Sequence, residues 1–464
     1  MQPEALADRC QRVAAEVDRR HKASGDRRGP DLEALVAGGD GAPPNLAAMS
    51  PRPPARTALA ARTGMAAAAV SRRLGRGDGT VIGGRVTLLV DPDALSRLGT
   101  GRWTALVSGT NGKTTTTRLL RAALATAGDV VTNPQGSNLP PGLVAGLSRS
   151  APGTTAALEV DEAWLGTAAE ALHPATITLL NLTRDQLDRV AEVRRLSERW
   201  RTVVTAIPEA HVVANADDPL VAWAAAAAEG RVTWVGAGQP WRDDAAGCAN
   251  CGGRIRWDGP VWACEKCGFT RPDPALWVDA DDLVEAVGSR HRIALTLPGR
   301  ANRANAAMAA ATAQLRGVRL DAGLAAMTAT AAVDGRYRQA SVGSSNARLL
   351  LAKNPAGWVE VFDMLAPVPA PVVVVVNSRI ADGRDPSWLW DVPFERLAGR
   401  PVAASGDRCR DVAVRLRYAG VEHRRIADPL DAIRALGPGD VDVAANYTAL
   451  RDIDARLGRE PAGV

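Results

Sequence analysis

Leu106-Val107-Ser108-Gly109-Thr110-Asn111-Gly112-Lys113-Thr114-Thr115-Thr116-Thr117-Arg118-Leu119-Leu120 decides the reading of this chain. A short apolar strand runs into a glycine-bearing turn, a lysine, a run of hydroxyls and a helix-forming segment. Gly109 and Gly112 let the backbone curl so that its N–H groups, with those of Thr110, Asn111 and Thr115, converge on an anion. Lys113 adds positive charge, Thr114 offers a hydroxyl to Mg2+, and the new helix points its positive end at the phosphate. The stretch therefore predicts a nucleoside triphosphate site. Its spacing is unusual, because two residues separate the glycines where four are common.

Outward from this loop the sequence alternates. Val130-Val131-Thr132, Ala156 to Val160, Ala175 to Leu180, Val212 to Ala214 and Val232 to Val235 are short apolar runs separated by helical stretches, and several end in polar residues. Buried parallel strands with helical crossovers predict a doubly wound sheet, with ligand contacts at the strand ends. Glu159 leaves one such strand near the loop, where it could hold Mg2+ through oxygen or cap the following helix. Asp185 and Asp188 stand similarly after Asn181, where an acid also suits a helix N-terminus. Upstream, Thr57 to Leu74 reads as helix and Val86 to Val90 as a strand. Residues 1–53 read as a mobile extension, and Met49 and Met65 are candidate alternative starts.

Cys248-Ala249-Asn250-Cys251 and Cys264-Glu265-Lys266-Cys267 form two knuckles with twelve residues between them. Four thiolates at this spacing predict a closed, tetrahedral Zn2+ ribbon inserted at 242–275, with Trp257 and Trp262 on a small hairpin. Beyond it, Asn302 and Asn305 open an Ala-rich helix; the two carboxamides could read a nucleotide or simply cap the helix. Arg336 follows in Asp334-Gly335-Arg336. Domain limits are expected at 54–335 for a central nucleotide-binding unit and 336–464 for a smaller α/β unit, whose core strand is Val372 to Val376.

The chain has 464 residues, 46% hydrophobic and 4% aromatic, with a formal net charge of +5. That size supports two or three domains, and the modest charge gives no nucleic-acid footprint. No apolar run approaches the roughly 20 residues of a membrane span, and no signal peptide opens the chain, so a cytoplasmic location is expected.

Together, Gly109 to Thr115, Glu159-Val160, Asn181 with Asp185 and Asp188, Asn215 with Asp217-Asp218, Gly299 with Asn302 and Asn305, Gly335-Arg336 and Asn354-Pro355 resemble the ATP-dependent Mur ligases of peptidoglycan synthesis. The inserted ribbon, the Lys353 to Gly357 loop and the Asp382 to Asp391 segment are similar to the lipid II isoglutaminyl synthase branch of that family. The resemblance implies an α/β Mur ligase-type central P-loop domain, with ribbon and C-terminal domain, that uses ATP, Mg2+ and Zn2+. Lys113 and Glu159 would act in phosphoryl transfer, Thr114 and Glu159 on Mg2+, and Asn302, Asn305 and Arg336 on the nucleotide. It further implies amidation of the D-Glu α-carboxyl of lipid II with ammonia from a GatD-type glutaminase partner, at the inner membrane face. The synthetase subunit would lend that partner an aspartate, Asp385 or Asp391. Gln186 stands where the family usually has His, and no lysine lies between Lys113 and Lys266 to be carbamylated. Both departures suit ammonia as nucleophile. Two other readings are a self-sufficient amino-acid ligase of the Mur or folylpolyglutamate type and a zinc-ribbon nucleic-acid-binding ATPase.

Overall fold

A computed structural model describes residues 52–75, 79–184, 193–330 and 337–457. The extension before residue 52, Asp185, Asp188 and Arg336 lie outside the described residues. The chain begins with α1 (Ala55–Arg73), α2 (Thr80–Val90) and α3 (Ala94–Gly99). It continues through β1 (Thr104–Ser108), α4 (Lys113–Leu124), β2 (Val130–Val131), α5 (Pro140–Leu147), β3 (Thr155–Glu159), α6 (Leu165–Leu172) and β4 (Thr176–Leu179). Next come α7 (Val193–Ala206), β5 (His211–Asn215), α8 (Pro219–Ala225) and β6 (Val232–Gly236).

The two-stranded ribbon hairpin is β7 (Ile255–Asp258) and β8 (Val261–Cys264). The main sheet resumes with β9 (Leu276–Asp279), β10 (Asp282–Glu285) and β11 (Arg290–Arg292), followed by α9 (Arg300–Gln314) and α10 (Leu320–Thr328). Its order is β2-β3-β1-β4-β5-β6-β9-β10-β11, parallel from β2 to β9 and closed by an antiparallel hairpin.

The central strands β1, β3, β4 and β5 are buried on both faces, which is why their sequences are largely apolar. Leu106 faces a core with Leu143, Leu165 and Trp200, whereas Ala105 and Val107 face Leu119, Leu120 and the alanines of α9. Truncating a residue such as Leu106 to Ala would cost about 2–5 kcal/mol. With β1 between β3 and β4, the sheet's switch point lies at the carboxyl end of β1, beside Gly109.

The 86–90 stretch is helical and not a strand, so its β-branched composition misleads. Gly79, at φ 74°, starts α2, and α2 then lies so close to its neighbours that a Cβ on Gly84 would collide with the Pro141 carbonyl and one on Gly83 with Gly64. Glycine-mediated helix contact outweighs the strand propensity of Val86 to Val90.

A second sheet is built from β12 (Tyr337–Val342), β13 (Ser345–Leu351), α11 (Pro355–Met364), β14 (Val372–Val375), β15 (Val402–Ser405), α12 (Cys409–Tyr418), β16 (His423–Arg425), α13 (Pro429–Ala435), β17 (Gly439–Ala445) and α14 (Tyr447–Leu457). Its order is β12-β13-β17-β14-β15-β16, parallel after the β12–β13 hairpin. Val372, Val374 and Val376 face an aromatic layer of Trp358, Phe362, Trp388 and Phe394, while Val373 and Val375 face Leu430, Ile433 and Leu450.

Candidate active site

The loop between β1 and α4 is fastened by side chains rather than by helix propensity. Asn181, just past β4, accepts from the Asn111 N–H at 2.9 Å and donates to the Asn111 carbonyl at 3.1 Å. Thr183 completes the clasp: its N–H donates to the Thr110 hydroxyl at 3.0 Å, which donates to the Thr183 carbonyl at 3.1 Å. Gly112 adopts φ 84°, and a Cβ there would collide with the Asn305 carboxamide. Asn305 also accepts from the Thr116 hydroxyl at 3.2 Å, so α9 is held against the first turn of α4.

Lys113 is buried, yet its ammonium is satisfied. It donates to the Gly109 carbonyl at 2.5 Å and the Thr110 carbonyl at 3.2 Å, and pairs with Glu162 at 3.0 Å. Pairing and hydrogen bonding offset the desolvation of a charge that burial would otherwise neutralise. The buried Glu159 accepts from the Asn138 amide at 3.4 Å, and its backbone is gripped on both sides by the Asn133 carboxamide. A Cβ at Gly136 would stand 3.2 Å from the Thr114 hydroxyl and 3.4 Å from a Glu159 oxygen. The hydroxyl and carboxylate thus face one gap beside the loop, an oxygen donor set that suits Mg2+.

From the loop a cleft opens past Asn215, Gly238, Gln239 and Trp241 to Asn302, Tyr337 and Met364. Asn302 donates to the Pro298 carbonyl at 2.6 Å, so it does not cap the N-terminus of α9, which has Gly299 in that place. Asn354 joins the two sheets: it caps α11 by accepting from the Gly357 N–H at 2.8 Å, and it exchanges amide contacts with Asn111 at 3.3 and 3.4 Å. Asp218, fully buried, caps α8 and accepts from Leu182 and Gln239; burial pushes its carboxyl up to about 6, against those backbone bonds.

The four cysteine sulfurs lie within 4.8 Å of one another. Cys248 and Cys267 are 3.8 Å apart and Cys251 and Cys264 3.5 Å, close to the ~3.8 Å sulfur edge of a tetrahedron with Zn–S bonds of about 2.3 Å. Burial pushes the Cys248 thiol up to about 12, whereas a backbone bond from Phe269 lowers Cys267 to about 6. The ribbon is anchored beside the cleft, because Trp262 donates to the Ala216 carbonyl at 3.1 Å and Arg271 pairs with Asp217 at 2.5 Å.

Asp385 and Asp391 lie elsewhere, on the exposed loop after β14. Asp385 makes a local turn with the Ser387 N–H at 2.9 Å. Asp391 reaches Arg184 at 3.5 Å, and Arg184 also pairs with Asp244 at 2.5 Å. The loop's buried anchor is Asp382, bonded to Thr448 through both backbone and hydroxyl. The structure therefore brings Lys113, Thr114, Glu159, Asn302 and Asn305 around one loop and cleft, with Asp385 on the exposed loop and Asp391 reaching only Arg184, next to Thr183. Glu162, Thr183 and the Asn111–Asn354 pair escaped the sequence reading. Only the polar character of the strand ends pointed to the first two.

A phosphate loop at the switch point of a parallel sheet, facing a second α/β unit across a cleft, defines a nucleotide-binding α/β protein. The Mur ligase middle domain model matches residues 107–313, and the MurT ligase C-terminal model matches 351–450. The lipid II isoglutaminyl synthase (glutamine-hydrolyzing) subunit MurT of Streptococcus pneumoniae is 30% identical over 404 residues, covering 80% of this chain and 89% of that protein. Its namesake from Staphylococcus aureus strain N315 is 26% identical, covering 85% and 96%. A pseudomurein peptide ligase type C from Methanothermus fervidus has the same fold, with TM-score 0.58 at 18% identity and coverage of 77% and 79%. The chain belongs to the MurT family.

Proposed function

We propose that this chain is the synthetase subunit of a glutamine-dependent enzyme that amidates the D-Glu α-carboxyl of the lipid II stem peptide. The carboxylate oxygen attacks the γ-phosphorus of ATP, releasing ADP and leaving an acyl phosphate. Ammonia then attacks the acyl carbon, phosphate leaves, and D-isoglutamine forms with loss of one proton. The observation that carries the reading is the convergence of Lys113, the Thr114 hydroxyl and the Glu159 carboxylate at one end of the sheet, in a chain of this kinship.

Phosphoryl transfer needs positioning and charge neutralisation more than covalent help. The N–H groups of residues 109–115 and the Lys113 ammonium would hold the β- and γ-phosphates, with Lys113 exchanging its loop carbonyls for phosphate oxygens. Thr114 and Glu159 would hold Mg2+, which supplies neutralisation of the developing phosphate charge. Asn302, Asn305 and Arg336 would bind the nucleotide. Cys248, Cys251, Cys264 and Cys267 would hold a structural Zn2+ that fixes the ribbon against β5. Segments 54–335 and 336–464 are assigned as the activating and partner-facing units.

The ammonia would come from a GatD-type glutaminase, since neither Cys10 nor Cys409 sits in a nucleophile motif with a neighbouring His. The chain would lend that partner Asp385, which has no ion pair among the described residues to give up, in preference to Asp391. The test is co-purification with a glutaminase subunit and assay of ATP- and glutamine-dependent amidation of lipid II. Amidation with release of ADP and phosphate is expected. Ligation of an amino acid by the chain alone would instead favour a self-sufficient Mur-type ligase.

A further inference from the structure

Between β6 and the ribbon, Ala237, Gly238, Gln239 and Trp241 form one wall of the cleft. This segment belongs to no helix or strand, so side chains from elsewhere hold it. Asn215, at the end of β5, donates to the Gly238 carbonyl at 3.2 Å and accepts from the Ala237 N–H at 3.4 Å. Asp217 accepts from the Gly238 N–H at 2.5 Å. The other oxygen of Asp217 is held by Arg271, which comes from the far stem of the ribbon, at 2.5 Å. Gly238 turns at φ 83°, and a Cβ there would collide with the guanidinium of Arg300, which pairs with Glu360 of α11 at 2.6 Å. A displaced Gly238 would therefore disturb the opposite walls of the cleft as well.

Attachment of the ribbon does not require this ion pair. Ile255, Trp262 and Cys264 are already buried against Ala222, and Trp262 bonds to the Ala216 carbonyl. The side chains of Arg271 and Asp217 are only 14% and 5% exposed. A buried ion pair gains little net stability over apolar groups of the same size, and its best-attested use is to select one geometry among several. The sequence makes room for it, since a Cβ on Gly236, the last residue of β6, would stand 3.0 Å from the Arg271 guanidinium. Neither Arg271 nor Asp217 lines the cleft, so both act on it through Gly238.

We infer that Arg271 is a positioning residue for the nucleotide: from the ribbon it orients Asp217, whose carboxylate fixes the Gly238 N–H and with it one wall of the cleft. This rests on the proposed nucleotide site. The ribbon is thereby a working part of the cleft, and its link to the site is a single charged contact.

The test measures binding of a non-hydrolysable ATP analogue with Mg2+ to the full chain by calorimetry. Arg271→Met should weaken binding about tenfold, within the usual range of coupling between sites, and Arg271→Lys should restore most of the loss. Asp217→Asn should weaken it to a similar degree. Adding Asp217→Asn to Arg271→Met should cost little more, because contacting residues that act as one unit are not additive. Arg256→Met, which removes the ribbon's exposed pair with Glu265, is the control and should bind as the unmodified chain does. Zinc content by elemental analysis should be the same in all of them. With the glutaminase present, KM for ATP should rise in Arg271→Met while kcat holds, whereas a mere loss of folded protein would lower kcat and leave KM alone. Unchanged affinity in both Arg271→Met and Asp217→Asn, additive losses in the double variant, or an equal loss in Arg256→Met would overturn the assignment. If Arg271→Met loses zinc, Asp217→Asn, which leaves every ribbon residue in place, decides alone. Affinities in the expected order without amidation of lipid II would overturn the proposed activity and leave the role of Arg271 standing.

Discussion

The phosphate loop and the loop after β14 both leave the carboxyl end of a parallel strand, yet they are finished differently. The first is bolted from three directions, by Asn181 and Thr183, by Asn305 and by Asn354, and its lysine is buried and paired. The second is anchored through Asp382 and Thr448, while Asp385 and Asp391 stay exposed. A loop that positions a reaction within its own chain needs rigid, satisfied neighbours. One that offers a carboxylate to another protein needs a fixed base and a free tip. The contrast fits the proposed reading, in which the chain activates its own substrate and lends a carboxylate to a partner.

The sharpest way to break the contrast is to remove the charge at the first loop. Lys113→Ala should lower ATP-dependent amidation by about a thousandfold or more, while glutaminase binding is retained; amidation within tenfold of the unmodified rate would remove Lys113 from phosphate handling. At the second loop, Asp385→Asn should cut glutamine hydrolysis by the pair by roughly 10³- to 10⁴-fold, as for the orienting carboxylate of other triads, with ATP binding intact. Asp391→Asn should do less and loosen the contact with Arg184. The opposite ranking would reassign the lent carboxylate, and full hydrolysis by both variants would refute the idea.

The ribbon sharpens the comparison from outside. Cys251→Ala should leave substoichiometric zinc in elemental analysis and lower the melting temperature by several degrees, because binding energy in such sites is folding energy. If the metal is structural, amidation at low temperature should fall less than in Lys113→Ala; equal loss would argue for a direct role at the nucleotide.

Most of the framework is readable locally. The unbroken valine run Val372 to Val376 reads as an interior strand, and the cysteine spacing defines a knuckle pair without tertiary knowledge. What is unreadable depends on distant partners. Asn181 clasps Asn111 across 70 positions, Glu162 meets Lys113 across 49, and Asn354 meets Asn111 across 243. Nothing in a lone Thr183 or Glu162 distinguishes it from a solvated strand end. The same cause hid α2, whose glycines matter only once Gly64 and Pro141 are in place.

Asn354 belongs to both halves of the contrast, so it allows the finest test. Its Oδ1 caps α11 through the Gly357 N–H, and its amide group faces the Asn111 side chain on the phosphate loop. Asn354→Ala removes both and should cost about 1 kcal/mol for the lost cap, while the Asn111 amide keeps only its bond to the Thr183 hydroxyl at 3.3 Å. Asn354→Asp keeps an oxygen for the cap, since Asp caps as well as Asn does, but loses the donor to Asn111. Stability near the unmodified value with KM for ATP raised several-fold is therefore expected in Asn354→Asp, whereas Asn354→Ala should lose both. Thermal unfolding and initial-rate kinetics on the two variants separate the terms. If Asn354→Asp leaves KM unchanged, the contact with Asn111 is only a seam between the sheets. If KM rises while glutamine hydrolysis by the pair holds, the C-terminal unit tunes the first loop through this amide and the two loops work independently.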